Sequence, residues 1–466
     1  MADLPVPGTE LSDVDDLGGA IPSPVDDLLR ALWGAGHAAY VVGGALRDAI
    51  LDRPTIDWDL ATAALPEQTA ALFDDAAYEN RFGTVVLRRG GHDYEITTFR
   101  TDHDYADFRR PHRVEFGTSL EADLARRDFT TNALAWGAPD ATRAPSLVDP
   151  YRGREDIAAR VVRAVGEPDR RFEEDALRML RAIRFATTLG FAIEPATLDA
   201  IRRHAPLADH LSGERIAMEL GKILAAERPS VGLRLLADTG LLEPISPDLA
   251  AQRGVGQNKT PGEDLWDHTL RTVDAVANRP ILRLAALLHD IGKPATAADG
   301  HFYGHEAVGA ELAERLLDRL HVPRSTVTAV SHLVRQHMFR YAPTWGDPAI
   351  RRFIGKVGPE TIDDLFALRE ADNAGSGLPR DADGLAELHA RVEAELATGP
   401  VLDRSTLAID GSDLMGELGL AAGPALGRIL AALVERVVEE PRLNDRPTLM
   451  LLARDLAARS HADAER

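Results

Sequence analysis

Hydrophobic periodicity changes once along this chain, near residue 155, and that change limits what it can fold into. Between about 26 and 150, short runs alternating apolar and polar residues are interleaved with runs of helical spacing. Leu28–Ala35 and Leu65–Asp74 have the spacing of helices, the second with Pro66 in its first turn. Ala39–Val42, Ile56–Leu60, Thr84–Arg88 and Tyr94–Phe99 read as strands, the last two as a hairpin about Gly90 and Gly91. Thr101–Gly117 is polar and arginine-rich, with no clear period. Beyond 155 almost every apolar run repeats at three and four residues, as in Phe172–Leu189, Pro195–His204, Gly213–Ala225 and Ser230–Thr239. A chain so patterned is expected to be α+β, with a mixed-sheet head and an all-helical remainder.

At 466 residues the chain exceeds one ordinary core. Residues 1–25, rich in Pro, Gly and Asp, are expected to form a disordered acidic tail. The head spans 26–150 and a helical region 151–255; residues 251–264 read as a linker. A histidine-rich helical block covers 265–375, and further helices 385–466. No apolar run approaches the ~18–20 residues of a membrane span, so no membrane partner is expected. No export signal opens the chain, and the absence of cysteine excludes disulfides and thiolate metal sites. A cytoplasmic protein is expected. The net charge of −21 argues against broad, non-specific nucleic-acid binding. Arginines nonetheless concentrate at Arg109–Arg127 and Arg152–Arg184, which leaves room for a local basic track.

Three clusters carry chemistry in the first half. Val41-Val42-Gly43-Gly44-Ala45-Leu46-Arg47-Asp48 reads as strand, glycine turn and helix, followed by Asp57-Trp58-Asp59 on a second strand. Alternation puts both carboxylates on one face and Trp58 on the other. Paired carboxylates repel unless a cation joins them, and hard oxygen ligands suit Mg²⁺. Gly43 and Gly44 permit close backbone approach to a phosphate, with Arg47 one turn on. The second cluster, Arg126-Arg127-Asp128, offers guanidinium forks for phosphate and a carboxylate for ribose hydroxyls. In the third, Asp175, Arg178 and Arg181 fall along one helical stripe with Glu174 beside it. A carboxylate next to a guanidinium matches the donor–acceptor edge of cytosine or adenine. Alone, the first cluster is also compatible with an ordinary turn and a solvated or calcium-type aspartate pair, and the other two with ordinary salt bridging.

In this order the clusters resemble the class II tRNA nucleotidyltransferases, the CCA-adding enzymes, over about residues 30–235. Leu147-Val148-Asp149-Pro150-Tyr151-Arg152-Gly153-Arg154 and Ser212-Gly213-Glu214-Arg215-Ile216 also resemble that family. The resemblance implies a polymerase-beta-like nucleotidyltransferase head followed by an all-α neck and body. It implies transfer of C, C and A from CTP and ATP to tRNA 3′ ends without a nucleic-acid template, releasing pyrophosphate. Asp57 and Asp59 would hold catalytic Mg²⁺. Gly43, Gly44 and Arg47 would contact the triphosphate, and Arg126, Arg127 and Asp128 phosphate and ribose. Asp175 and Arg178 would read the base. Glu95 is a weaker third acidic candidate. Tyr105-Ala106-Asp107-Phe108-Arg109-Arg110-Pro111 resembles the flexible loop of enzymes that add the terminal A. Bacterial poly(A) polymerases share the head, so poly(A) synthesis and partial addition stay open.

Seven of the 15 histidines fall between 260 and 340. His289-Asp290 ends an apolar helical run, with His268 upstream and Asp372 downstream. Mixed imidazole and carboxylate ligands suit a divalent transition metal. The set His268, His289, Asp290 and Asp372 resembles the HD phosphohydrolase superfamily, and His305 and His337 match further positions that would hold a second metal or phosphate. A third reading is therefore a metal-dependent phosphohydrolase whose head only binds nucleotide.

Overall fold

The computed structural model describes residues 17–55, 57–78, 83–105, 111–257, 262–399 and 403–464. It divides into two compact units, Met1–Ala250 and Ala251–Arg466.

The first unit is built on strands β1 (Ala39–Val42), β2 (Leu60–Thr62), β3 (Ala76–Tyr78), β4 (Thr84–Arg89), β5 (His92–Thr98), β6 (Arg100–Tyr105), β7 (Pro111–Phe116), β8 (Ala135–Ala138) and β9 (Ser146–Val148). Seven form one sheet in the order β3-β4-β5-β2-β1-β8-β9, while β6 and β7 pair separately. β2 runs parallel to β5 and the other pairs are antiparallel, so the sheet is mixed. β4 and β5 form the expected hairpin, with Arg89 opposite His92 across Gly90-Gly91. β1 is buried at every position, as a central strand must be. Its side chains alternate between two cores. Val41 packs with Leu28, Leu32, Leu46, Leu60 and Ile96 on one face. Tyr40 and Val42 pack with Phe99, Leu120 and Leu124 on the other.

Two local expectations change. Within the stretch expected to be a disordered tail, Leu17–Ala20 and Ser23–Gly34 are helical, and Leu17, Ile21 and Val25 are buried in the head core. Three apolar side chains supply enough buried area to order the segment despite its Pro and Gly content. The strand expected over Ile56–Leu60 begins only at Leu60, and Asp57–Asp59 precede it outside the named strand. It stays in register because the Val42 amide donates to the Asp59 carbonyl at 3.0 Å. Ile56 and residues 106–110, the centre of the expected flexible loop, lie outside the described residues.

The rest of the first unit is mostly helical, including Pro168–Glu174, Leu177–Leu189, Pro195–His204, Gly213–Leu224 and Pro229–Asp238, with one short parallel pair of Val161–Val162 and Ala192–Ile193. The expected single helix Phe172–Leu189 is broken at Asp175, whose backbone is extended (φ −149°, ψ 104°). Its carboxylate accepts the Leu177 amide, giving the backbone an alternative to continuing the helix.

In the second unit, Leu265–Ala275, Pro280–Leu288, His305–Arg319, Arg324–Gln336 and Ile362–Gly375 pack together. Ala251–Gln257 is not a free linker: Gln252 is buried and accepts from Thr269 Oγ1 at 2.8 Å. Asp264 caps the helix Leu265–Ala275 by accepting the Asp267 amide. Residues 258–261 lie outside the described residues. Helices Gly411–Leu418, Pro424–Glu439 and Arg446–Ala464 share a separate apolar cluster about Leu414, Leu433 and Leu449.

Candidate functional site

The first candidate site lies where β1 ends. Gly43 has φ +79° and ψ −137°, a conformation open essentially to glycine alone. A Cβ there would meet Arg127 Nη1 at 2.9 Å. The glycine thus lets a guanidinium lie directly on the turn. Trp58 is buried while Asp57 and Asp59 are exposed, so the expected alternation holds outside the ladder. The pairing of Leu60 with Ile96 brings Glu95 beside Asp59. Asp59 keeps more than a third of its surface open, yet surrounding protein displaces water from the carboxylate. This desolvation, reinforced by Glu95 and then Asp57 against the pull of Arg127, pushes its carboxyl up to about 6. Crowded hard oxygens of this kind fit a divalent cation.

Arg47 is buried and already engaged. Its Nε and Nη2 donate to the Asp48 carboxylate at 3.0 and 2.9 Å, and its Nη1 donates to Asn132 Oδ1 at 2.6 Å. Its guanidinium lies 5.0 Å from the centre of the Phe185 ring, which also has Arg181 at 5.4 Å and Arg184 at 4.0 Å. An aromatic face shared by three cations gathers positive charge that would otherwise disperse.

Arg126 and Arg127 both hold Asp123, which is 1% exposed. Burial alone would raise the Asp123 carboxyl, but the two guanidiniums keep it below the usual range. Asp128 accepts from Asn132 Nδ2 at 3.1 Å and from Arg181 Nε at 2.8 Å. Burial opposes its ionisation, and Arg181 overrides it, lowering the carboxyl to about 2. Asp128 is therefore an anion throughout the physiological range.

Asp175, Arg178 and Arg181 do not share a stripe of one helix. The break at Asp175 turns its carboxylate to Arg215 Nη2, at 2.7 and 3.1 Å. Arg178 is buried; its Nη1 donates to Glu174 at 2.8 Å and its Nη2 to the Arg126 carbonyl at 2.8 Å. Arg178 thus meets the Arg126 cluster, Arg181 meets Asp128, and Asp175 belongs with Arg215. Asp123, Asn132, Phe185 and Arg215 were not singled out as site residues. Asp123 carried a local signal, lying three and four residues before the arginines. The Asp175–Arg215 pair, 40 residues apart, carried none.

The second candidate site, in the second unit, brings all six expected ligands together. His268, His289 and Asp372 form one buried ligand cluster, and Asp290, His305 and His337 another. His268 Nε2 lies 3.1 Å from His289 Nε2 and 3.2 Å from Asp372 Oδ1. Asp290 faces both clusters: its Oδ2 is 3.1 Å from His289 Nε2, and its Oδ1 is 3.3 Å from His305 Nε2 and 3.7 Å from His337 Nε2. His289, His305 and His337 each place Nδ1 within 2.8 Å of a backbone carbonyl three residues earlier. A proton on Nδ1 leaves Nε2 as a lone pair turned inward, the arrangement of a metal-bound imidazole. The buried Nε2 atoms of His305 and His337 have no hydrogen-bond partner. Burial holds the His289 imidazolium below its ordinary value, so the ring is neutral. The donor set therefore fits two divalent transition-metal ions. A Cβ at Gly292 would meet the His305 carbonyl oxygen at 2.3 Å, so glycine is required for Asp290 and His305 to approach. His332 belongs elsewhere, 2.6 Å from the Val357 carbonyl. Sequence inspection missed Lys293 as a partner: its Nζ donates to Asp290 Oδ2 at 2.6 Å.

Comparison with known proteins finds matches for parts of both units. Residues 39–163 match the Poly A polymerase head domain, 190–253 the probable RNA and SrmB-binding site of polymerase A, and 263–374 the HD domain. The CCA-adding enzyme of Geobacillus stearothermophilus is 34% identical over 420 residues, covering 88% of this chain and 91% of its own. That of Geobacillus kaustophilus is 36% identical over 428 residues, covering 90% and 93%. The crystal structure of the Bacillus stearothermophilus CCA-adding enzyme in complex with CTP superposes with a TM-score of 0.69 at 31% identity, covering 95% of this chain and all of that one. The Thermotoga maritima CCA-adding enzyme complexed with tRNA shares the fold, with a TM-score of 0.59 at 19% identity over 96% of this chain and all of that one. By near-full-length similarity at these identities, the chain belongs to the family of CCA-adding enzymes.

Proposed function

We propose that the head and neck add C, C and A to the 3′ end of tRNA, taking the nucleotides from CTP and ATP. The observation that carries this is the juxtaposition of the Asp57–Asp59 carboxylates with the Arg127 guanidinium at the Gly43 turn. Match of the chain to CCA-adding enzymes over nearly their whole length favours this product over poly(A) or partial addition. Asp57 and Asp59 would hold Mg²⁺, which when bound supplies a Lewis acid for the attacking hydroxyl and the leaving oxygens. Gly43 and Gly44 admit the triphosphate to the backbone, and Arg47, Arg126 and Arg127 neutralise it. Asp128, kept ionised by Arg181, accepts from ribose. Asp175 and Arg178 present an acceptor and a donor to the base edge. The tRNA 3′-hydroxyl oxygen bonds to the α-phosphorus and the bond to pyrophosphate breaks. The hydroxyl proton passes to solvent, and the electron pair leaves with pyrophosphate. A cytoplasmic location suits this substrate and a chain without cysteine. Asp57→Ala tests the assignment: it should abolish incorporation of labelled CTP and ATP while leaving the protein folded.

A second activity is favoured by the buried histidine–aspartate cluster. The inward-facing Nε2 atoms and the shared Asp290 support metal-dependent hydrolysis of a phosphoester. Water oxygen bonds to phosphorus, the ester P–O bond breaks, and the leaving oxygen takes a proton. His289→Ala should remove bound transition metal and any hydrolysis but spare nucleotide transfer.

A further inference from the structure

Asn132 is 6% exposed and ends the short turn Thr130–Asn132, between two groups of opposite charge. Its Oδ1 accepts from Arg47 Nη1 at 2.6 Å, and its Nδ2 donates to Asp128 Oδ1 at 3.1 Å. A guanidinium only donates and an ionised carboxylate only accepts, so the amide can lie one way round alone. A neutral group that accepts at one end and donates at the other satisfies both neighbours without adding charge. Aspartate at this position would keep the first bond but set a second anion against Asp128. Leucine would lose both bonds in a buried place. The backbone joins the same network: the Asn132 carbonyl oxygen lies 3.5 Å from Arg127 Nη1, and the Asn132 amide donates to the Phe129 carbonyl at 2.9 Å. Asn132 therefore touches three side chains proposed to hold the nucleotide, two at the phosphates and one at the ribose. Asp128 is also held by the Phe129 amide at 2.8 Å and by Arg181, so Asn132 governs its orientation rather than its place.

We infer that Asn132 is a positioning residue that couples the triphosphate end of the nucleotide site to the ribose end, so that preference for a ribonucleotide over a 2′-deoxyribonucleotide depends on its amide. This rests on the nucleotide-transfer reading above. Hydrogen bonds weaken steeply with distance and angle, so the carboxylate that accepts a ribose hydroxyl has to keep an oxygen turned towards it. The chain Arg47–Asn132–Asp128 holds that orientation while both of its hydrogen bonds are made. A deoxyribose has no 2′-hydroxyl to offer and gains less from it, whereas the triphosphate is common to both nucleotides.

The test uses the full chain with Mg²⁺ and a tRNA ending after its first C, and measures single incorporation of CTP and of 2′-deoxy-CTP. Asn132→Asp should lower the ratio of kcat/KM for CTP to that for 2′-deoxy-CTP about tenfold, the effect of one hydrogen bond to a charged group, with the loss falling on CTP. Asn132→Leu should in addition raise KM about tenfold for both nucleotides, because Arg47 loses its hold as well. Arg47→Met leaves Asn132 in place and should lower the same ratio about threefold through the coupling. Failure of the native protein to incorporate CTP would sink the transfer reading and this inference with it. Native incorporation with a ratio unmoved by Asn132→Asp would overturn the inference alone. Equal loss for both nucleotides in Asn132→Asp, together with a lower melting temperature, would make Asn132 a structural support and likewise overturn it. Should neither Asn132 variant fold, Arg47→Met decides: an unchanged ratio overturns the coupling and a lowered one upholds it.

Discussion

Removing the Arg215 guanidinium by Arg215→Gln isolates the contact that fixes Asp175, the residue proposed to read the base. One nitrogen of Arg215 reaches both Asp175 oxygens, at 2.7 and 3.1 Å, and the two side chains are 20% and 19% exposed. A hydrogen bond between charged groups contributes about 1.5–3 kcal/mol when well buried. One-fifth exposure lowers this, so about 1–2 kcal/mol is expected here. The Leu177 amide still holds one oxygen, so Asp175 loses orientation without losing its place. The consequence should be a drop of about five- to thirtyfold in kcat/KM for both CTP and ATP. The assay is a double-mutant cycle: native, Arg215→Gln, Asp175→Asn and the double variant, each measured by single-nucleotide incorporation. If Arg215 acts through Asp175, the double variant should be little worse than Asp175→Asn. Additive losses across the cycle would refute the reasoning, because Arg215 would then act on something else.

Other expectations follow from the same geometry. Gly43→Ala should cut transfer at least tenfold, since it combines a glycine-only conformation with a Cβ 2.9 Å from Arg127 Nη1; a steady-state assay at native thermal stability would isolate the effect. Because the Asp59 carboxyl titrates at about 6, Mg²⁺ binding should weaken as pH falls below 6, and Asp59→Asn should remove that dependence. A carboxyl raised in the folded state binds its proton more tightly there than when unfolded. Without metal, its contribution to stability should therefore decline as pH rises from about 4 to 6, which thermal melts of the native and Asp59→Asn proteins would show. Arg178→Ala should impair choice among nucleotides more than total incorporation; equal loss with all four would remove the base-reading role.

Legibility differed between the sites for physical reasons. The histidine–aspartate cluster was readable because imidazole and carboxylate groups at the end of an apolar helix have few structural uses. All six expected ligands converge. The carboxylates Asp57 and Asp59 were readable through alternation, which survives even where the strand ladder does not. The third cluster was misjudged in geometry, because continuous helical spacing hides a break that a single Asp side chain can impose at residue 175. Partners distant in sequence were invisible: Arg215 for Asp175, and Phe185 for Arg47. The ordered segment from Leu17 was hidden by composition, since three buried apolar residues outweigh the glycines and prolines around them.

The most direct measurement is incorporation of labelled CTP and ATP, with Mg²⁺, into tRNAs ending before CCA, after C and after CC. Ordered addition of C, C and A followed by a stop is the predicted result. Long adenylate tails on unrelated RNAs, or no incorporation by the native protein, would contradict the account.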